Sequence, residues 1–137
     1  MSHLPKDWRF LRFAWIYAVV LTGNSGRATK LVDSVFAEVA RRHDVVSAHR
    51  RRRLFFALLL REGMEIPRCS ATDFSGPEEL FAFHQISEPG RSALSLFYSR
   101  LFDADQLADV LGVSEQKLPE ILTSARAEFA ERNPVHP

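Results

Sequence analysis

The chain has one cysteine, Cys69, in 137 residues. That excludes an internal disulfide framework and a multi-cysteine zinc site, and makes a reducing compartment the natural expectation. Long hydrophobic runs are missing too. The longest fully apolar stretch, Leu54 to Leu60, has seven residues, whereas a membrane-spanning helix needs roughly 20. The apolar stretch Phe13 to Leu21 is too short for the same reason. It follows Lys6, Arg9 and Arg12 as a secretory signal would, yet no small-residue cleavage pattern comes after it. Thr22-Gly23-Asn24-Ser25-Gly26 reads as a turn instead. A cytoplasmic protein without membrane insertion is expected. No charge of one sign dominates: 18 Lys and Arg stand against 17 Asp and Glu, a formal charge of +1. No overall field therefore draws the protein to nucleic acid.

Reactive chemistry is also sparse. His3, His43, His49, His84 and His136 are scattered, and no pair has the HExxH or a similar metal-ligand spacing. There is no glycine-rich phosphate loop, because Gly23 and Gly26 flank a turn between helices and not a strand-to-helix turn. Cys69 has no evident base beside it in the sequence. The expectation is a protein that is not an enzyme and holds no metal or cofactor.

What is present is a globular composition, 46% hydrophobic and 26% charged, which excludes disorder throughout. The small total charge hides an asymmetry. Residues 1–68 carry thirteen Lys and Arg against six Asp and Glu, whereas residues 69–137 carry five against eleven, giving +7 and −6. The change falls at Pro67 to Pro77, which contains Ser70, Asp73, Ser75 and Gly76 and reads as a linker. The expected organisation is a helical unit over 1–68, a linker over 69–79 and a second helical unit over 80–137.

The apolar period is helical nearly everywhere, so the fold class is all-α. A first helix is expected from about Pro5 to Leu21. A second, from Arg27 to Arg42, has Leu31, Val32, Val35, Phe36 and Val39 on one face. A third, Arg52 to Gly63, is apolar all round over Leu54 to Leu60, which implies burial or a covering partner. Beyond the linker, Glu78 to Ile86 forms a short helix and Ser87-Glu88-Pro89-Gly90 breaks it. Arg91 to Leu101 restarts. Asp103, three residues before Gln106, makes an N-terminal capping arrangement. That helix buries Leu107, Val110 and Leu111 and stops at Gly112. Ser114 caps the last helix, with Leu118, Ile121, Leu122, Ala125 and Phe129 inward and Asn133-Pro134 as its end.

Asp103 to Leu122 has helix-turn-helix spacing: a short helix closed by Gly112, an inward Val113, and a second helix from Ser114. Ala108, Leu111, Val113, Leu118 and Leu122 are the small and apolar residues that lock two helices at a steep angle. Such a corner either presents its second helix to a DNA major groove or is simply a packed helical corner.

The neighbouring residues extend the pattern. Ile86-Ser-Glu-Pro-Gly-Arg followed by Ser92 to Ser114 resembles the fourth conserved region of bacterial sigma factors, and Ala125-Arg126-Ala127-Glu128-Phe129 resembles its end. Leu21-Thr-Gly-Asn, then Ala28 and Leu31-Val-Asp-Ser-Val-Phe, resembles the second region of the extracytoplasmic-function sigma factors. The resemblance covers Trp8 to Arg132. It implies two small helical domains on a flexible linker that bind core RNA polymerase and direct it to promoter DNA. It places Lys30, Leu31, Val32, Asp33, Val35 and Phe36 against the polymerase or another partner. Arg50, Arg51, Arg52 and Arg53 would lie near the melted promoter element, and Ser114, Gln116, Lys117, Thr123, Ser124 and Arg126 would face the more distant element.

The chain departs from that family where contact is expected. Its DNA-facing register falls on Pro119, Ile121, Ser124 and Arg126, of which only Arg126 is basic. Lys117 adds one charge, but Glu115, Glu120, Glu128 and Glu131 are acidic, and phosphate contact requires Lys or Arg. Pro119 is unfavourable inside a helix begun at Ser114, unless the helix begins later with Pro119 in its first turn. Lys30 and Ser34 replace usually acidic positions. Phe55 and Phe56 are either base-trapping aromatics or core. The run Arg50 to Arg53 is a phosphate contact, a solvated helix start, or an internal partner for the acidic half. Two readings follow: a divergent sigma factor that binds core polymerase and promoter DNA, or a sigma-like module that no longer reads DNA and binds a protein such as an anti-sigma factor.

Overall fold

The computed structural model describes residues 8–42 and 47–132, and within them regular structure is entirely helical. The helices are α1 (Leu11–Thr22), α2 (Ser25–Ala40), α3 (Ala48–Gly63), α4 (Phe81–His84), α5 (Gly90–Ser99), α6 (Ala104–Leu111) and α7 (Leu118–Arg132). Short 3-10 turns occupy Ala71–Asp73, Glu78–Leu80 and Glu115–Lys117. The expected start at Pro5, the expected stop at Asn133-Pro134, and His3, His43 and His136 lie outside the described residues.

Local chemistry sets the boundaries. Gly23 ends α1 in the left-handed region at φ 77°, its N–H bonded to the Val19 carbonyl. A side chain could not be accommodated there, because a Cβ would sit 2.6 Å from His84 Nε2. Asn24 then caps α2 by accepting from Arg27 N at 2.9 Å. Ser47 caps α3 by accepting from Arg50 N at 3.1 Å, so α3 begins four residues earlier than the apolar run suggests and takes in the arginines. Asp103 and Gln106 form a reciprocal capping box on α6, and Gly112 closes it at φ 71°. Ser114 departs from expectation: its hydroxyl makes no capping hydrogen bond. A 3-10 turn intervenes and α7 starts at Leu118. Pro119 is thereby a first-turn residue, where its missing N–H costs nothing.

One apolar cluster runs through the described residues. It joins Phe10, Tyr17, Leu21, Leu31, Val35, Phe55 and Phe56 to Ile86, Leu94, Leu96, Leu107, Leu118 and Leu122. Residues expected in the unit 1–68 and residues expected in the unit 80–137 therefore share a core. Helix α1 is common to both, packing on α2 and α3 and also on α4 and α5. Phe56 contacts Tyr17 at 6.0 Å between ring centroids and, across the expected boundary, Phe102 edge-on at 5.4 Å. Each such large side chain withdrawn from water contributes about 1.5–3 kcal/mol.

The stretch 69–79, expected as a linker, lies along the turn between α1 and α2. Ser25 N donates to Ser75 O at 2.7 Å, Ser75 N to Gly23 O at 2.9 Å, and Cys69 N to Thr22 O at 3.3 Å. The isolated bridge Asn24–Ser75 is the one strand-like pairing among the described residues.

Candidate interaction surfaces

The proposed partner face on α2 divides along the helix. Leu31 is 4% exposed and Val35 fully buried, so both belong to the core and not to a docking face. Their spacing of four residues stacks them on the side turned to α1 and α3. Lys30, Asp33 and Phe36 are exposed and Val32 is half-buried. Phe36 is braced rather than loose, its ring 4.7 Å from that of Trp8. The contact surface α2 offers is thus Lys30, Asp33 and Phe36, with Val32 at its edge.

The arginine run is divided in the same way. Arg50 is exposed. The Arg51 guanidinium lies over the Trp8 ring at 5.3 Å, and that of Arg52 over the Phe102 ring at 5.6 Å. Arg53 Nη1 pairs with Asp109 Oδ2 of α6 at 3.7 Å. The Nε atoms of Arg52 and Arg53 are buried without a hydrogen-bond partner. Arg53 therefore reaches toward α6 and Arg52 toward the segment before it. Phe55 and Phe56, the candidate base-trapping aromatics, are both fully buried. They are core residues and cannot stack on a base.

At the corner, Leu107, Ala108, Val110, Leu118 and Leu122 are buried, with Leu111 and Val113 half-buried. Ser114, Gln116, Lys117, Thr123, Ser124 and Arg126 are all exposed. Acids share that surface: Glu115, Glu120 and Glu131 are exposed beside them. Arg126 is further occupied, its guanidinium over Phe97 at 5.1 Å. Glu128 turns back to the preceding loop and accepts from Ser87 N and Oγ, both at 3.0 Å.

A buried polar network escaped the sequence reading. Tyr17 OH donates to Ser92 Oγ at 2.7 Å, and Ser92 Oγ donates to Glu88 Oε2 at 2.7 Å. Ser92 N and Arg91 Nε also donate to the Glu88 carboxylate, each at 3.0 Å. Arg91 is 2% exposed; its Nη2 reaches Met64 Sδ at 3.9 Å and its Nη1 has no partner. Burial, followed by the nearby Glu88 charge, holds the Tyr17 hydroxyl protonated far above its ordinary range. No spacing signals this network, because Tyr17 and Ser92 are 75 positions apart.

His84 is a second buried polar centre. Nδ1 lies 2.7 Å from Val20 O and Nε2 lies 3.3 Å from Cys69 O. The shorter contact assigns the proton of the neutral ring to Nδ1, which donates to Val20 O. Burial lowers the imidazole pKa below its usual value, outweighing the two carbonyls that favour the charged form. Arg68 Nη2 donates to His84 O at 2.8 Å, and its own guanidinium pKa is lowered chiefly by burial.

Among the described residues no His, Cys, Asp and Glu cluster could hold a metal ion, and no helix is long and apolar enough to cross a membrane. The fold defines an all-α protein. No protein-family model, no curated protein and no solved structure matches the chain.

Proposed function

We propose that the chain is a sigma-factor-like transcription regulator that works as a protein-interaction module and has given up reading promoter DNA. Its partner is an anti-sigma factor, held on the α2 surface of Lys30, Asp33 and Phe36. One observation carries this reading: the two sigma-like halves share a core through Tyr17, Phe56, Phe102 and Leu94. Two promoter elements some distance apart call for two bodies that can separate. Separating these halves would expose several large apolar side chains, each costing about 1.5–3 kcal/mol. Buried Phe55 and Phe56 and the acids around Lys117 point the same way. Lys30, in a usually acidic position, disfavours the polymerase surface by charge reversal.

The test is pull-down of the full chain against the anti-sigma domains of its own genome, with a mobility-shift assay on promoter DNA at low salt. Binding to an anti-sigma domain, weakened by Lys30→Glu with Phe36→Ala, and no DNA shift are expected. A DNA shift abolished by Lys117→Glu with Arg126→Glu overturns the reading.

The second reading, a divergent sigma factor on core RNA polymerase, is favoured by the exposure of all six corner residues from Ser114 to Arg126. Co-elution with core polymerase together with that DNA shift would establish it.

A further inference from the structure

We propose that Met64 is a site of oxidation by peroxide, and that its sulfoxide fastens the end of α3 to the start of α5. Met64 follows α3 directly, its N–H bonded to Leu60 O at 3.0 Å. Its sulfur is one side of an incomplete contact. Arg91, in the first turn of α5, is 2% exposed. Of the three guanidinium nitrogens, Nε donates to Glu88, Nη2 reaches Met64 Sδ at 3.9 Å, and Nη1 has no partner. A thioether is a weak acceptor. A buried cation short of acceptors bears the cost of the hydration it has lost. Met64 itself is 53% exposed, so an oxidant arriving from solvent meets this residue while the arginine beside it stays covered.

The step is a two-electron oxygen transfer from hydrogen peroxide. A sulfur lone pair attacks one peroxide oxygen, and the S–O bond forms as the O–O bond breaks. The departing hydroxide takes the proton of the transferred oxygen and leaves as water. Sulfur is oxidised and the peroxide reduced. The product replaces a weak acceptor by a strongly polar oxygen. That oxygen projects beyond the sulfur and so closes part of the 3.9 Å gap to Nη2, and the unbranched, flexible side chain can turn it there. Hydrogen bonds with a charged partner are roughly twice as strong as neutral ones. Sulfoxide formation normally disrupts packing, because an apolar group becomes polar inside a core. Here more than half of the residue already faces water, so little burial is lost and the effect changes sign. Met64 belongs to the expected unit 1–68 and Arg91 to the expected unit 80–137, so the strengthened contact spans the joint. Methionine sulfoxide reductases reverse the modification.

The experiment treats the full chain with hydrogen peroxide, locates the added oxygen by peptide mapping, and compares urea unfolding before and after treatment. Met64 should gain one oxygen at peroxide concentrations that oxidise free methionine, and the folded-to-unfolded ratio should rise about tenfold. Met64→Leu keeps Met1, Cys69 and both tryptophans, so any effect of oxidising those residues persists in it; it should show no such rise. The double variant Glu88→Gln with Arg91→Leu lacks the guanidinium, and there oxidation of Met64 should bring no stabilisation. Circular dichroism of each variant checks that the helices persist. An oxidised chain no more stable than the reduced one, the same rise in Met64→Leu or in the double variant, or a Met64 that resists peroxide in the folded chain overturns the proposal.

Discussion

Replacing Glu88 by Gln tests the buried network most directly, because it keeps shape while removing the charge and turning one of the two accepting oxygens into an NH2 donor. In the wild-type chain the Glu88 carboxylate accepts from Arg91 Nε, Ser92 N and Ser92 Oγ. The Arg91 side chain is 2% exposed, and among the described residues Glu88 is the acid within ion-pair distance of it. The remaining Arg91 contacts are weak: Met64 Sδ at 3.9 Å and an Nη1 without a partner. Removing one member of a buried pair typically costs 3–5 kcal/mol, since the surviving charge is left uncompensated. The Glu88 side chain keeps 17% exposure, and water admitted through it favours the lower end, about 3 kcal/mol. Against a total stability of about 5–15 kcal/mol, that lowers Tm by roughly 10 °C at this length. Arg91→Met in the same background removes the orphaned charge and should recover most of the loss. The assay is urea unfolding of the wild type, both single variants and the double variant, read as a double-mutant cycle. A Glu88→Gln loss below about 1 kcal/mol, or a double variant no more stable than Glu88→Gln, would refute the assignment of Glu88 as the counter-charge of Arg91.

Two further outcomes follow from the same packing. Trp8 and Trp15 both lie in the N-terminal half, while far-UV circular dichroism reports helices in both halves; the shared core predicts coincident urea transitions by the two probes, and separated midpoints would contradict it. For pH the sign comes from His84. The unfolded imidazole takes a proton near 6.5 while the buried one resists it, so below that pH the unfolded state binds more protons. Stability should therefore fall on acidification through about pH 6.5, by at most about 1.4 kcal/mol per pH unit for one proton. Tyr17 acts at the other end, because its hydroxyl stays protonated in the fold while the unfolded phenol ionises near 10, so stability should fall above about pH 10. Urea unfolding across pH checks both, and a flat profile between pH 5 and 7 would exclude the His84 contribution.

The sequence made local structure legible where the signal is itself local. Asp103 with Gln106, and Gly112 after Leu111, mark both ends of α6 because caps act over three or four residues. The apolar stripe of α2 identifies the buried side, but it cannot tell a core stripe from a docking stripe. The sigma-factor resemblance sets Leu31 and Val35 against a partner, whereas the packing of α1 and α3 places them inside. Arg91 stands where the sequence restarts a helix; its ion-pair partner Glu88 is only three residues away, but the same carboxylate binds Ser92, which Tyr17 meets from 75 positions off, and no local signal marks that meeting. The stretch 69–79 has linker composition, yet its backbone finds donors and acceptors on the turn at Gly23 and Ser25. Composition records flexibility of the chain, not the availability of a surface to bind it.

The charge asymmetry of +7 and −6 invites the idea that electrostatics closes the two halves on each other, and magnitudes decide against it. The ion pair Arg53–Asp109, which crosses the joint at 3.7 Å, has side chains 34% and 71% exposed. Exposed pairs of this kind contribute about 0–1 kcal/mol, and salt screens them within roughly 8–10 Å. Across the same joint Phe56 meets Phe102, and Tyr17 meets Ser92 beside buried Leu94 and Leu96. Two or three such apolar side chains outweigh the ion pair several-fold at about 1.5–3 kcal/mol each. The halves are held by apolar burial, with the opposite charges left mostly on the outside. High salt should accordingly leave hydrodynamic radius and helix content unchanged, whereas Phe56→Ala, by opening a cavity at the joint, should cost about 3–5 kcal/mol. Expansion of the chain in 1 M salt, where the screening length falls to about 3 Å, would mean instead that charge attraction closes the joint.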